Sequence, residues 1–219
     1  MAIAFFDFDK TLVEANTAAM WVRREVVQGH VSRLHALRAS VWMAKYHLGF
    51  VQFEDALVDA LSTLRGSSSQ ALAERTKDFY EREVRHLYRP RALEALSTHR
   101  SAGDLLVLLT TSPHYLASLV AEELELDGYL STRLEVGDDG LHTGRPVGRV
   151  CFGRGKLTHA SAYAGERGVR LYSCSFYTDS YSDLPVMEQV GNPVAVNPDL
   201  RLRRHAARRG WRIVDWSAR

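Results

Sequence analysis

The chain of 219 residues lacks the features of a membrane-spanning or disulfide-bonded protein. It contains no run of about eighteen apolar residues, the length that a membrane-spanning helix needs. Its first ten residues include acidic side chains and no basic stretch ahead of an apolar one, so we expect no secretory signal. The two cysteines, Cys151 and Cys174, have neither metal-binding nor redox spacing. These absences favour a cytoplasmic protein with two reduced, buried thiols.

Net charge is also small, at +2, but it is unevenly distributed. Residues 200–219 contain seven arginines and one aspartate, so the rest of the chain is net negative. An Arg-rich segment can bind nucleic acid. Here the arginines alternate with apolar residues such as Leu202, Ala206 and Ile213, a pattern that predicts a surface helix followed by a short strand. We therefore expect no nucleic-acid partner.

Hydrophobic residues make up 46% of the chain and charged residues 25%, as in an ordinary globular protein with one core domain and an insertion. Short apolar runs at 2–8, 105–109, 170–177 and 193–196 predict buried strands, and most precede a polar loop and a helical pattern. This alternation predicts an α/β fold, a parallel sheet with helices on both faces. Ligands of such sheets bind at the carboxyl ends of the strands.

Residues 14–100 interrupt the alternation, because they show helical periodicity and little strand signal. Leu34, Leu37 and Val41 begin one apolar stripe of a helix predicted over 31–50. We interpret 14–100 as an all-helical cap domain inserted into a core domain formed by 1–13 plus 101–219. Within the core, residues 135–144 predict a small hairpin.

The segment FFDFDKTL, residues 5–12, places Asp7 and Asp9 two positions apart at the end of a buried strand. Two carboxylates this close repel each other unless a cation lies between them or one of them is protonated. Mg²⁺ suits such oxygen ligands. Asp7 would attack phosphorus and bind the metal, and Asp9 would bind the metal through its backbone carbonyl, leaving its carboxyl as acid and base. Alone, the pair is equally consistent with solvated acids in a turn.

Polar residues also follow the second predicted strand. Thr110, Thr111 and Ser112 offer hydroxyls to phosphate oxygens, and Pro113 opens the next helix. The start of that helix adds free N–H groups and a dipole that favours an anion. Taken by itself, this segment is also explained as a hydroxyl cap of the helix.

Asp179 and Asp183 follow the third predicted strand, four positions apart. Asp179 would complete the Mg²⁺ ligands, and Asp183 would orient the loop or bind an outer water, or else cap a helix. Lys156 lies in the chain between residues 110–113 and residues 179–183. It would neutralise charge beside the phosphate, or else face solvent. The glycines before Lys156 do not form a nucleotide-binding loop, because such a loop needs Ser or Thr where Leu157 stands.

Together and in this order, the four segments resemble the motifs of haloacid dehalogenase phosphatases. The matches are DxDxT (7–11), TTSP (110–113), Lys156 and DSxxD (179–183). The long helical segment between the first two motifs is similar to that of the subfamily containing phosphoserine phosphatases. The resemblance implies a Rossmann-like core with an inserted helical cap of the C1 type.

The resemblance also implies roles for individual residues. Asp7 resembles the nucleophile that forms an aspartyl-phosphate, and Asp9 resembles the acid that protonates the leaving alcohol and then activates water. Thr110 resembles the phosphate-binding hydroxyl, although Thr111 and Ser112 leave the register open. The other matches are the lysine, the metal ligand and its acidic partner: Lys156, Asp179 and Asp183. Thr11, in the first motif, and Glu14, just after it, are expected beside the substrate from their position, although Glu14 also fits the entry to a helix.

Asp9 also indicates the reaction class, because an alkoxide leaving group needs a proton and a halide does not. The sequence therefore predicts a Mg²⁺-dependent phosphomonoesterase acting on a small phosphorylated alcohol, such as phosphoserine or histidinol phosphate. Three alternatives stay open: a phosphomutase, a non-catalytic phosphate-binding module, and a phosphatase of lipid or lysophospholipid phosphates. The last would place Trp42, Tyr46 and neighbouring basic residues of helix 31–50 against a membrane.

Overall fold

The computed structural model of the chain describes residues 2–30 and 61–217. The helix predicted over 31–50, with the aromatic and basic residues that suggested membrane contact, lies outside the described residues. No helix in the two described ranges is long and apolar enough to cross a bilayer.

Six parallel strands form the central sheet, in the order β3-β2-β1-β6-β7-β8. Their bounds are β1 Ile3–Phe6, β2 Leu105–Pro113, β3 Gly128–Thr132, β6 Ser175–Thr178, β7 Asn192–Val196 and β8 Arg212–Val214. The predicted hairpin is present as the antiparallel pair β4, Leu134–Val136, and β5, His142–Pro146. The predicted α/β class is confirmed, and β6 is shorter than its apolar run because Leu171–Ser173 forms a helical turn.

The α-helices of the described residues include α1 Thr17–Val27, α2 Ser69–Phe79, α3 Pro90–Ser101, α4 His114–Glu123, α5 Arg154–Glu166, α6 Leu184–Met187 and α7 Leu200–Arg209. Wider or tighter helical turns follow α2, over Tyr80–Val84 and Arg85–Leu87. Local chemistry explains several helix ends. The Asn16 side chain caps α1 by accepting a hydrogen bond from the Ala19 N–H at 2.9 Å. Pro90 occupies the first position of α3, where its missing N–H costs nothing. Gly210, with φ 68°, ends α7, and β8 follows as predicted.

The core has three layers because successive side chains of β1 point to opposite faces of the sheet. Ala4 and Phe6 belong to one apolar cluster, with residues of α3 and α4. Ile3 and Phe5 belong to the other, with residues of α5 and α7. All four side chains are fully buried, and each phenylalanine stabilises the fold by roughly 1.5–3 kcal/mol.

Two antiparallel linkers, the first over residues 12–14 and the second over residues 87–89, connect α1 and α2 to the core. Val13 pairs with Tyr88, the Glu14 N–H donates to the Leu87 carbonyl at 3.1 Å, and the Arg89 N–H donates to the Leu12 carbonyl at 2.9 Å. Helix α3 follows the second linker and packs on the sheet through Ala92 and Leu96. The division into 1–13 plus 101–219 and 14–100 stays a prediction. The core cluster includes residues of 14–100 both in α3 and before it, such as Phe79 and Val84.

Asp199 connects the start of α7 to the loop that follows β6. Its Oδ1 accepts hydrogen bonds from the N–H groups of Arg201 and Leu202, both at 2.8 Å, and its Oδ2 accepts one from the Tyr181 N–H at 2.7 Å. We expect Asp199→Ala to lower the free energy of unfolding by about 1–2 kcal/mol, because it removes a helix cap and a loop anchor together.

Urea denaturation would measure this loss. Asp199→Asn is the matched control, since its amide oxygen still caps α7 while its NH₂ group cannot accept from Tyr181. Its stability should therefore lie between those of the wild type and the alanine variant. An alanine variant as stable as the wild type would contradict the roles of Asp199 as helix cap and loop anchor.

Candidate active site

Asp7 occupies the centre of the sheet's carboxyl edge. It directly follows β1, whose neighbours on either side are β2 and β6, and its backbone N–H donates to the Tyr177 carbonyl at 2.9 Å. Its side chain is mostly buried, with the residue 7% exposed, and its Oδ1 accepts a hydrogen bond from Lys156 Nζ at 2.8 Å. The aspartate predicted as nucleophile thus lies where the ends of three parallel strands meet.

Lys156 reaches this edge from the first turn of α5, and two glycines permit its position. A Cβ on Gly155 would lie 2.0 Å from the Val150 carbonyl oxygen, so only glycine allows this close approach. Gly153, with φ 50°, makes the turn into the helix. Lys156 is 2% exposed, and its ammonium bridges Asp7 and Asp183, each at 2.8 Å. The alternative in which Lys156 faces solvent is wrong.

Asp183 is bound to Lys156 and does not cap a helix through its side chain. Its Oδ2 accepts hydrogen bonds from Lys156 Nζ at 2.8 Å and from Thr178 Oγ1 at 2.6 Å. It is 1% exposed, and its Oδ1 has no hydrogen-bond partner among the described residues. Asp183 and Asp7 therefore hold the lysine ammonium in place together.

The carboxylates of this edge crowd one another. Burial, together with the charges of Asp7 and Asp183, raises the pKa of Asp179 to about 8 against the opposing effect of Lys10 and Lys156. Burial likewise raises the pKa of Asp7, an effect that Lys156 opposes and Asp183 reinforces. Burial lowers the pKa of Lys156, but Asp183 and Asp7 more than offset this, so its net pKa is raised. The buried Lys156 therefore stays positively charged. The carboxylates of Asp7, Asp179 and Asp183 together carry more negative charge than this one ammonium group neutralises.

Asp9 lies in a wide turn over Phe8–Leu12, in which Lys10 adopts a left-handed backbone conformation with φ 56°. Its Oδ1 accepts hydrogen bonds from the backbone N–H of Thr17 and from Thr17 Oγ1, the latter at 2.7 Å. Its Oδ2 accepts one from Ser112 Oγ at 3.3 Å. Burial raises the pKa of Asp9, although the hydrogen bonds from Thr17 and Ser112 oppose the shift. The carboxyl group is thus held from both sides.

The three hydroxyl residues at the end of β2 have different surroundings. Thr110 is buried, and its Oγ1 accepts a hydrogen bond from the Ser112 N–H at 3.1 Å. Ser112 is also buried and contacts Asp9. Thr111 is partly exposed. The phosphate-binding register among these residues stays a prediction.

Two of the predicted substrate-side residues differ sharply in position. Thr11 is fully buried, and its Oγ1 has no hydrogen-bond partner among residues 2–30 and 61–217. Glu14 is exposed and lies in the first linker. Their roles beside a substrate stay predictions.

Two contacts were missed from the sequence. The hydroxyl of Thr17 donates to Asp9, and the hydroxyl of Thr178 donates to Asp183. Thr178 lies directly before Asp179 at the end of a buried strand, and that position was the available signal. No local pattern pointed from Thr17 to Asp9.

The donor set of this edge fits a Mg²⁺ ion. Asp183 Oδ1 is buried without a hydrogen-bond partner among the described residues, and burial and the charge of Asp7 both raise the pKa of Asp179. Oxygen ligands are those that Mg²⁺ prefers. In the described part of the chain, no three His, Cys, Asp or Glu side chains form a metal-binding group by themselves. The predicted ligands differ from such a group, because they combine two carboxylates with the backbone carbonyl of Asp9.

Residues 4–188 match the sequence model of the family described as haloacid dehalogenase-like hydrolase. The chain belongs to this family. The match spans β1 through α6 and so includes every segment of the site. The predicted family and enzyme class are confirmed, and the protein is a haloacid dehalogenase-like hydrolase.

Proteins similar to this chain include several with phosphatase names. The Mycobacterium tuberculosis protein named phosphoserine phosphatase SerB1 is 34% identical over 98% of this chain and 71% of its own length. A Neisseria meningitidis protein named histidinol-phosphatase is 28% identical over 98% of each chain. This hydrolase is thus similar, over nearly its whole length, to proteins named for two different phosphate esters.

Solved structures agree with the fold. A crystal structure of a Bordetella pertussis protein of unknown function is 28% identical and superposes with a TM-score of 0.88, covering 98% of each chain. A phosphoserine phosphatase, solved as an analogue of its phospho-aspartyl intermediate, has 21% identity and a TM-score of 0.69 over 93% of this hydrolase and 90% of its own chain. The second likeness shows the fold alone.

Proposed function

We propose that this hydrolase is a Mg²⁺-dependent phosphomonoesterase that hydrolyses a small phosphorylated alcohol through an aspartyl-phosphate on Asp7. The observation that carries the proposal is the environment of the Asp7 carboxylate. Its Oδ1 is bound to the buried ammonium of Lys156, and its Oδ2 accepts no hydrogen bond from the described residues. Oδ2 is therefore the oxygen available to attack phosphorus.

In the first step, Asp7 Oδ2 forms a bond to phosphorus while the bond from phosphorus to the alcohol oxygen breaks. Asp9 gives its proton to that oxygen, so the alcohol leaves neutral. In the second step, a water oxygen attacks phosphorus and Asp9 takes a proton from the water. The bond to Asp7 breaks, inorganic phosphate forms, and both carboxyl groups return to their starting states.

Lys156 and the β2 hydroxyls would hold the phosphoryl group during both steps. The ammonium of Lys156 offsets the negative charge that builds up beside Asp7. Thr110 Oγ1 accepts a hydrogen bond from the Ser112 N–H, so its own hydrogen can be donated to a phosphoryl oxygen. The start of α4 at His114, two residues after Ser112, adds a favourable dipole.

Mg²⁺ would be held by the carboxylates of Asp7 and Asp179 and by the backbone carbonyl of Asp9. Asp183 would bind a water of the ion or orient the loop. When bound, the ion supplies positive charge next to the phosphoryl oxygens. The unbonded Asp183 Oδ1 and the repulsion between Asp7 and Asp179 support this arrangement.

The names of the relatives support a substrate that is a small phosphorylated alcohol, with phosphoserine and histidinol phosphate as the first candidates. Both carry an ammonium group, and the exposed carboxylate of Glu14, in the linker beside the catalytic turn, could bind such a group. Kinetic constants measured on a library of phosphate esters would test the substrate class. Lysophosphatidic acid, with and without liposomes, belongs in the library as the lipid alternative.

Metal removal gives a direct test of the cofactor. EDTA treatment should abolish turnover of p-nitrophenyl phosphate, and added Mg²⁺ should restore it. Ca²⁺ should restore little, because it takes longer bonds and more ligands than two carboxylates and one carbonyl provide. Full activity in EDTA would contradict the metal assignment. A failure to hydrolyse any ester with Mg²⁺ present would instead favour a phosphate-binding module.

A further inference from the structure

Asp9 is held asymmetrically by its neighbours. Two donors from one residue, the backbone N–H and the Oγ1 hydroxyl of Thr17, reach its Oδ1. Among residues 2–30 and 61–217, the sole donor to its Oδ2 is Ser112 Oγ, through a longer hydrogen bond of 3.3 Å. The two oxygens of this carboxyl group are therefore not equivalent.

This asymmetry has a chemical consequence for proton transfer. An oxygen that already accepts two hydrogen bonds is a poor place for a proton, because the proton would point at one of the donors. Thr17 is 1% exposed, so water has little access to replace its hydroxyl. The proton of Asp9 is accordingly carried by Oδ2.

Thr17 is itself held in position by the helix that it begins. One turn further along α1, the Trp21 ring packs edge-on against Phe79, with ring centroids 5.3 Å apart. Near the end of α1, Arg24 pairs with Glu83 at 2.8 Å. Because α1 is packed in this way, the orientation of Asp9 depends on the position of a helix outside the sheet.

We propose that Thr17 is a positioning residue for the reaction, whose hydroxyl and N–H hold Asp9 so that Oδ2 carries the proton given to the leaving group. The inference rests on the proposed function, in which Asp9 is the acid. Serine at position 17 would keep the hydroxyl. Valine would keep the shape of the side chain and the backbone N–H but remove the hydroxyl donor.

The test uses a series of aryl phosphates that share one ring but differ in the acidity of the leaving phenol: phenyl, p-nitrophenyl and 2,4-dinitrophenyl phosphate. The quantity measured is kcat/KM with Mg²⁺ present, which reports the steps up to departure of the phenol. Thr17→Val should lower kcat/KM for phenyl phosphate by about tenfold or more, and for 2,4-dinitrophenyl phosphate by less than about threefold. A weakly basic leaving group needs no proton, which is why the effect should depend on the ester.

Three further variants make the result interpretable. Thr17→Ser should restore most of the activity on phenyl phosphate, and Thr17→Ala should repeat the valine result if valine prevents folding. Thr76→Val is the matched control, because Thr76 is also a buried threonine with a donating hydroxyl, bonded to the Leu72 carbonyl at 2.7 Å. It should affect all three esters equally.

An equal loss on all three esters, or no loss, in the Thr17→Val and Thr17→Ala variants would overturn the inference, since a structural role lowers every rate alike. So would a serine variant that behaves like valine. These results are distinct from a failure of the proposed function, which would appear as a wild-type protein that hydrolyses none of the esters.

Discussion

Asp7→Asn is expected to lower kcat for p-nitrophenyl phosphate by roughly 10⁴-fold or more, because a neutral amide is a far weaker nucleophile than a carboxylate. The shape of the side chain is unchanged, and the amide oxygen can still accept a hydrogen bond from Lys156. The substitution also removes one negative charge from a crowded group that includes Asp179 and Asp183. We therefore expect thermal stability in EDTA to be at least that of the wild type.

Steady-state kinetics and a thermal melt would check both parts of this prediction. The control is Asp138→Asn, the same substitution at an exposed position in the hairpin. Acid quenching of the wild type during turnover, followed by peptide mass spectrometry, should find a phosphate group on the peptide that contains Asp7. An Asp7→Asn variant with full activity would remove the nucleophile assignment.

Lys156→Met is expected to have the largest effect on stability. It keeps most of the aliphatic volume but leaves Asp7 and Asp183 buried without their shared cation. Removing one partner of a buried ion pair costs about 3–5 kcal/mol, and we expect a loss of that size in the free energy of unfolding. Activity should fall by roughly 10²–10³-fold or more, since a donor to the phosphoryl group is lost.

Urea denaturation in EDTA would measure the loss without a contribution from bound metal. The double variant Lys156→Met with Asp183→Asn separates the two roles of the lysine. Removing the charge of Asp183 should recover part of the stability, whereas activity should stay as low as in the single variant. A Lys156→Met protein as stable as the wild type would show that the bridge contributes nothing to folding.

Features that depend on short-range interactions could be predicted from the sequence, whereas contacts between distant residues could not. The apolar runs around β1, β2, β6 and β7 predict their own strands, because burial in a parallel sheet imposes a continuous apolar composition. The convergence of Asp7, Thr110 and Asp179 follows from one general rule, that the carboxyl ends of parallel strands meet at one edge. The helix and strand at the end of the chain were predicted for the same local reason.

Patterns of a few neighbouring residues are enough to predict which residue types stand at the ends of the strands. The contacts between side chains, in contrast, become visible in the folded protein alone. Lys156 binds Asp7 across 149 positions of chain, Thr17 turns its hydroxyl to Asp9, and Gly155 lies where no larger residue fits against Val150. Such contacts depend on how helices pack on a sheet, and that packing is a property of the whole fold.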